Sequence, residues 1–334
     1  MEPNYALRLA KLRAATKNVN AVLLLSHHDD ANAYYYTGND VDPTILLATA
    51  KDSLLASIQP ENHTAFGQSI HYRDAKKELK KRFKALKGKR VGYDDSSPNA
   101  LRALKFLEKQ GVKPVAIGSK ISEPRVIKEA CELERVRKAQ EITLRALYET
   151  DTLSGSTENA IAGRLEDAAR RHGGALNAFP PMVLCAQRSA LYHNTTTNRR
   201  IRRGENVLID CGATFERYCA DYTRTHHNGN RSAAFTDAYN AVEESLHAAK
   251  RRTRAGTHGR TVGAEALRVI KEYGFEQQSH KAVGLALGHH VGLEVHDGPR
   301  LEERVLRKGM VITIEPGIYV PGKYGIRIED TIII

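Results

Sequence analysis

The sequence predicts an α+β chain of two domains, and three observations carry that expectation. Its 334 residues exceed the usual span of one domain. Before residue 120, short apolar runs of strand length alternate with helical patterns, as in an α/β domain. Beyond residue 200, strand-like runs flanking short turns read as antiparallel hairpins, and several carry acidic residues. The expected domains are 1–122 and 123–334.

In the first domain, residues 21–25 (AVLLL), 44–49 (TILLAT), 53–58 (SLLASI), 89–94 (KRVGYD) and 113–118 (KPVAIG) read as strands. A helix fits the basic run 76–90, because Leu79, Phe83 and Leu86 fall on one face. A second helix is expected near Asn99 to Gln110. The result is a mixed sheet flanked by helices. No phosphate-cradling glycine loop follows any of these strands, so no nucleotide site is indicated. Ser122-Glu123-Pro124 is expected to open a long helix ending near Tyr148, with Ser122 as N-cap. Ser156 starts the next helix, which stops at Gly173-Gly174, and two more occupy 232–253 and about 260–273. Residues 207–212 and 218–225 read as one hairpin, and 310–320 and 325–334 as a second pair around Pro321-Gly322.

The formal net charge is +12. In the densest basic run the lysines lie opposite the apolar face without interleaved aromatic residues. A solvated basic surface is therefore preferred over a nucleic-acid site. No stretch reaches the roughly 20 apolar residues of a membrane span. The N-terminal residues 1–13 lack the apolar core of a secretory signal, so a cytoplasmic protein is expected. The four cysteines show no C-x-x-C spacing and are expected to be reduced and buried.

The main chemical clue is acid inside apolar strands. Asp210 ends Val-Leu-Ile-Asp, and Asp221 follows eleven residues later in mid-strand. Glu315 follows Val-Ile-Thr-Ile, and Glu329 lies in Ile-Arg-Ile-Glu-Asp. A carboxylate is rarely buried unless it is paired or bound to a metal. One such residue reads as an ion pair, whereas four on two hairpins call for a shared explanation. If they converged, they would repel and take up protons, and two divalent cations would neutralise them. The matching imidazole lies in Gly288-His289-His290, seven residues before His296. Carboxylate oxygens with one imidazole suit manganese, cobalt, zinc or iron.

The segments LIDCG, ADYTRT, GHHVGLEVHDGP, GMVITIEPGIY and GIRIED occur in that order. With them the C-terminal half resembles the pita-bread metallopeptidases, specifically the aminopeptidase P/prolidase/creatinase group. AVLLL, YYYTGN and EPRVIKEACELERVRKA extend the resemblance through the N-terminal half. The resemblance implies a pita-bread catalytic domain behind a smaller, creatinase-like α/β domain. It implies hydrolysis of Xaa-Pro bonds, as a dipeptidase or an aminopeptidase, by a metal-bridged water. Two divalent ions are implied, manganese or cobalt first, zinc or iron as alternatives, and a homodimer is expected.

The family's metal ligands fall on Asp210, Asp221, His289, Glu315 and Glu329. Asp210 would hold one metal, His289 and Glu315 the other, and Asp221 and Glu329 both. His193 falls where a histidine near the scissile bond is expected, and His296 where one contacts the substrate carbonyl. Glu315 would carry the proton. Arg327 would orient a ligand or bind substrate, and Arg300 is a candidate for a substrate carboxylate, against a solvated loop arginine. The competing reading is a non-catalytic protein on the same fold that binds nucleic acid or an acidic partner. The chain ends five residues past Glu329, where relatives usually continue, so a less well-anchored strand is expected beneath that ligand.

Overall fold

The computed structural model describes residues 3–26, 30–39, 43–59, 66–150, 155–175 and 177–334. The chain divides into two compact units, Met1–Arg125 and Val126–Ile334. Among the described residues no helix is long and apolar enough to cross a membrane.

The first unit opens with α1 (Tyr5–Ala15), β1 (Ala21–Ser26), α2 (Ala31–Thr37), β2 (Thr44–Thr49), β3 (Ser53–Ser57) and β4 (Gln68–His71). It continues with α3 (Ala75–Leu86), β5 (Arg90–Tyr93), α4 (Ala100–Lys109), β6 (Lys113–Ala116) and α5 (Gly118–Ser122). Among the described residues the five expected strands and one not foreseen, β4, form a mixed sheet in the order β4-β3-β2-β1-β5-β6. β1 runs antiparallel to β2 and parallel to β5, and β5 runs parallel to β6. Parallel neighbours need crossovers, and α4 provides one between β5 and β6. Leu23, Leu47, Leu54 and Val91 of the sheet pack with Leu79, Phe83 and Leu86 of α3 and Leu107 of α4. The face of α3 read from the sequence is thus the buried one.

The second unit begins with α6 (Ala130–Glu149), α7 (Glu158–Arg171), β7 (Met182–Cys185) and β8 (Asn206–Cys211). The small strands β9 (Thr214–Phe215) and β10 (Tyr218–Cys219) precede β11 (Tyr222–His227), α8 (Ala233–Arg252) and α9 (Gly259–Glu272). β12 (Val311–Ile314), β13 (Gly317–Val320), β14 (Tyr324–Arg327) and β15 (Asp330–Ile333) complete it. Phe235, Val242 and Leu246 of α8, with Val262 and Ile270 of α9, pack on Ile312, Ile314, Ile318 and Ile326. The four cysteines are buried and form no disulfide.

The long helix does not begin at Ser122. Ser122 closes α5, residues 123–125 form a single 3-10 turn, and α6 starts at Ala130. Its start is fixed by a capping box, in which the Glu132 carboxylate accepts from the Glu129 N–H at 2.7 Å. Thr157, not Ser156, caps α7 through the Ala160 N–H.

Both hairpins form, but their strands are interrupted where the acids lie. β8 pairs antiparallel with β11, setting Asp210 opposite Thr223, while Ala220-Asp221 falls between β10 and β11. β12 pairs with β15 and β13 with β14, which leaves Glu315-Pro316 and Ile328-Glu329 as facing breaks. Pro316 has no N–H to give a ladder. The freed amides bond elsewhere: Glu315 N–H to Leu287 O at 2.8 Å and Glu329 N–H to Thr223 O at 3.0 Å. The expected weak anchoring after Glu329 is not found. β15 is paired to β12, and Ile334 both donates to Met310 O and accepts from Gly309 N–H.

Candidate metal centre

Three strand breaks and one strand deliver the acids. Leaving the ladder lets Asp221, Glu315 and Glu329 turn their side chains to a common point, which a regular two-residue alternation would not do. Ligand atoms of Asp221, His289 and Glu329 lie within 4.8 Å of one another. The His289 Nε2 is 3.5 Å from Asp221 Oδ2 and 3.6 Å from Glu315 Oε1. Asp210 lies on the same cavity, which measures about 860 Å³ and is also lined by His193, His296 and Arg300. Of the predicted site residues only Arg327 stays behind that surface. It is 1% exposed, and its Nη2 donates to Asp210 Oδ2 at 2.5 Å.

The supporting shell contains residues that the sequence analysis missed. The Thr223 hydroxyl donates to Glu329 at 2.6 Å, and Thr313 sits 3.4 Å from Glu315. Thr331 accepts from the Asp221 N–H and donates to the Asp221 carbonyl. Each of these threonines stands two residues from a carboxylate of the cluster. That repeated spacing was the available signal. Tyr319, also missed, gives Arg327 an acceptor at 3.1 Å.

His289 is prepared as a ligand. Its Nδ1 pairs with the His290 carbonyl at 3.2 Å, which fixes the proton there and leaves the Nε2 lone pair facing the acids. Burial, with the neighbouring His296, lowers its pKa to about 4, so the ring is neutral near pH 7. The ring centroids of His289 and His296 are 4.3 Å apart. The loop between them is held by Asp297, whose Oδ2 accepts from the Leu293 N–H and lies 3.5 Å from Lys128 Nζ.

Asp221, Glu315 and Glu329 show the opposite shift. Burial first, and then the Glu329 and Asp210 charges, push Asp221 well above the carboxylate range. Burial and the Glu315 charge do the same to Glu329, and burial raises Glu315 to about 7. The Oδ1 atoms of Asp210 and Asp221 are buried without a hydrogen-bond partner. An unpartnered buried carboxylate oxygen is costly. A divalent cation among these oxygens and the His289 Nε2 would remove both the orphaned atoms and the repulsion. The donor set therefore fits a metal.

Among known structures, a Xaa-Pro dipeptidase from Bacillus anthracis superposes with a TM-score of 0.90 at 27% identity, covering 99% of this chain and 95% of that one. An X-Pro aminopeptidase from Thermotoga maritima gives a TM-score of 0.83 at 30% identity, covering 96% and 95%. The fold is that of the pita-bread peptidases. The Xaa-Pro dipeptidase of Pyrococcus horikoshii is 33% identical over 326 residues, which is 95% of this chain and 90% of that protein. The signature of metallopeptidase family M24 matches residues 134–334, and the chain belongs to that family. It is accordingly a peptidase that uses divalent metal.

The shifts fix the sign of a pH effect. A raised carboxylate pKa means that the fold keeps its proton after the unfolded chain has ionised. The contribution of these groups to metal-free stability is present below about pH 4 and is lost as pH rises toward the raised values, about 7 for Glu315. A cation displaces those protons, so its stabilisation grows over the same window. The melting temperature of metal-loaded protein minus that of chelator-treated protein is expected to widen from about pH 5 to about pH 8. A gap that shrinks with rising pH would contradict this assignment.

Proposed function

We propose that this chain is a Xaa-Pro dipeptidase that uses two divalent cations, manganese or cobalt, held by Asp210, Asp221, His289, Glu315 and Glu329. The observation that carries the reading is the convergence of four acids and one neutral imidazole on a cavity that also presents two further histidines and Arg300. Named relatives of both the Xaa-Pro dipeptidase and X-Pro aminopeptidase kinds support proline-directed cleavage. Arg300 favours the dipeptidase. It is exposed on the cavity and makes no ion pair among the described residues, so it can receive a free C-terminal carboxylate. The same reading takes the enzyme to be a cytoplasmic homodimer, whose size sedimentation of the purified protein tests.

Bound cations would polarise the scissile carbonyl and acidify a water. The protein supplies the rest. Glu315 accepts the water's proton and returns it to the leaving nitrogen. That return matters for proline, whose nitrogen has no hydrogen within the peptide bond and departs as an amine. His296, exposed beside His289, donates to the oxygen on which charge develops. His193 orients the substrate near the leaving nitrogen. Phe179, Pro180, Pro181 and Met182 give the cavity an apolar wall that limits water.

Matched Xaa-Pro and Xaa-Ala di- and tripeptides, assayed after manganese or cobalt loading, test this. We expect Xaa-Pro dipeptides to be preferred by about 10²-fold in kcat/KM. Arg300→Ala should raise KM for dipeptides more than it lowers kcat. Equal turnover of tripeptides by the parent protein would reassign it as an aminopeptidase. His296→Ala should keep its metal and lose roughly 10²- to 10³-fold in kcat. Full activity in that variant would remove His296 from the mechanism.

A further inference from the structure

The unit Met1–Arg125 holds a cavity of about 1010 Å³ that the peptidase reaction does not use. Its walls are α3 and α4, and its floor includes Leu25 of β1 and Ile45 of β2. Arg73, Lys76 and Lys80 rim one side, and Arg102, Lys105 and Lys109 the other. All six are exposed, and among the described residues no Asp or Glu lines the cavity and none of the six makes an ion pair. Apart from these cations the lining is mainly apolar, with Leu79, Phe106 and a Leu101 that is 62% exposed, and Ser26, Thr44, Asn99 and Gln110 add uncharged polar groups. Cations gathered around an apolar trough, without counter-ions among the described residues, repel one another and favour an anionic amphiphile.

The spacing narrows the choice. Lys76 and Lys80 lie one turn apart on α3, with Arg73 in the short turn before it, and Arg102, Lys105 and Lys109 follow on successive turns of α4, a spacing of about 5–6 Å per turn. A single carboxylate or phosphate headgroup would meet only one or two of them. A nucleic-acid strand would need free aromatic faces. The Phe106 ring is instead packed edge-on against Phe83 at 5.4 Å, and Tyr72, the other aromatic residue of the lining, is half-buried against the core of the sheet. A helix with acids at three- and four-residue spacing along both edges of a leucine stripe matches the rims and the trough together. Two turns of such a helix, about 10 Å wide and 11 Å long, occupy roughly 850 Å³. We propose that this groove docks an acidic amphipathic helix of a partner protein.

A labelled peptide of about 15 residues, with leucines at i, i+3, i+4 and i+7 flanked by glutamates, probes the full-length protein by fluorescence anisotropy. A scrambled peptide of the same composition and a single-stranded oligonucleotide serve as controls. The amphipathic peptide should bind at least about tenfold tighter than the scramble, with affinity falling as salt rises. Lys80→Glu combined with Lys105→Glu should lose at least about tenfold of that binding, with melting temperature and peptidase activity unchanged. Equal binding of the scramble, tighter binding of the oligonucleotide, or undiminished binding by the double variant would overturn the proposal. So would a change of oligomeric state on double substitution, which would give the groove to a second copy of this chain.

Discussion

Asp221→Asn is expected to lower kcat/KM by roughly 10³-fold or more, because the charge stabilisation contributed by a bound metal is worth several kcal/mol. The substitution keeps the shape of a side chain that is 5% exposed and removes only its charge. The ligand atoms of Asp221, His289 and Glu329 share one small volume, so Asn leaves the group short of one anion at its centre. Metal content after dialysis should fall with activity. Stability should move the other way. Asp221 is held above its ordinary pKa by burial and by Glu329, so its ionisation opposes the metal-free fold as pH rises. At about pH 8 the chelator-treated variant should therefore melt above the chelator-treated parent. A variant that retained its metal and its rate would remove Asp221 from the centre. One that lost both activity and metal-free stability would mark it as a structural residue.

That opposition of stability and function is what made the acids readable in the sequence. Val-Leu-Ile-Asp and Val-Ile-Thr-Ile-Glu place charge where burial opposes it, and only a shared ligand makes the pattern reasonable. The breaks beside Asp221 and Glu329 were not readable, whereas Pro316 was an unread signal for the one beside Glu315. Apolar runs on both sides look like continuous strands, and the interruption arises from which distant strand each half pairs with. The start of α6 was misplaced for a local reason. Ser122 and Pro124 form a stronger N-terminal signature than Glu129 and Glu132, yet the latter pair makes the capping box. The basic face of α3 was legible as a helix face, but the groove required α4 as its second wall. That pairing depends on the packing of both helices over one sheet.

Arg327→Lys carries the second large effect, although the charge is conserved. The Arg327 guanidinium meets four groups: Nε with Thr223 Oγ1 at 3.0 Å, Nη1 with Tyr192 O and the Tyr319 hydroxyl at 3.1 Å, and Nη2 with Asp210 Oδ2 at 2.5 Å. Thr223 in turn donates to Glu329, so one planar cation fixes Asp210 directly and Glu329 through a hydroxyl. A lysine ammonium is a point donor on a flexible stem and cannot hold that fork. It would leave buried acceptors unpaired, at about 1–3 kcal/mol each, and loosen a buried ion pair whose rupture costs about 3–5 kcal/mol. The melting temperature should drop by roughly 10 °C. The rate should fall further than stability alone explains, because Asp210 would no longer be aimed. Substrate KM should change less than kcat, since Arg327 lies behind the cavity surface and does not line it. Restored metal occupancy at high cation concentration without restored kcat would identify Arg327 as the residue that positions Asp210. An Arg327→Lys protein with parental kcat and melting temperature would show that charge alone suffices there.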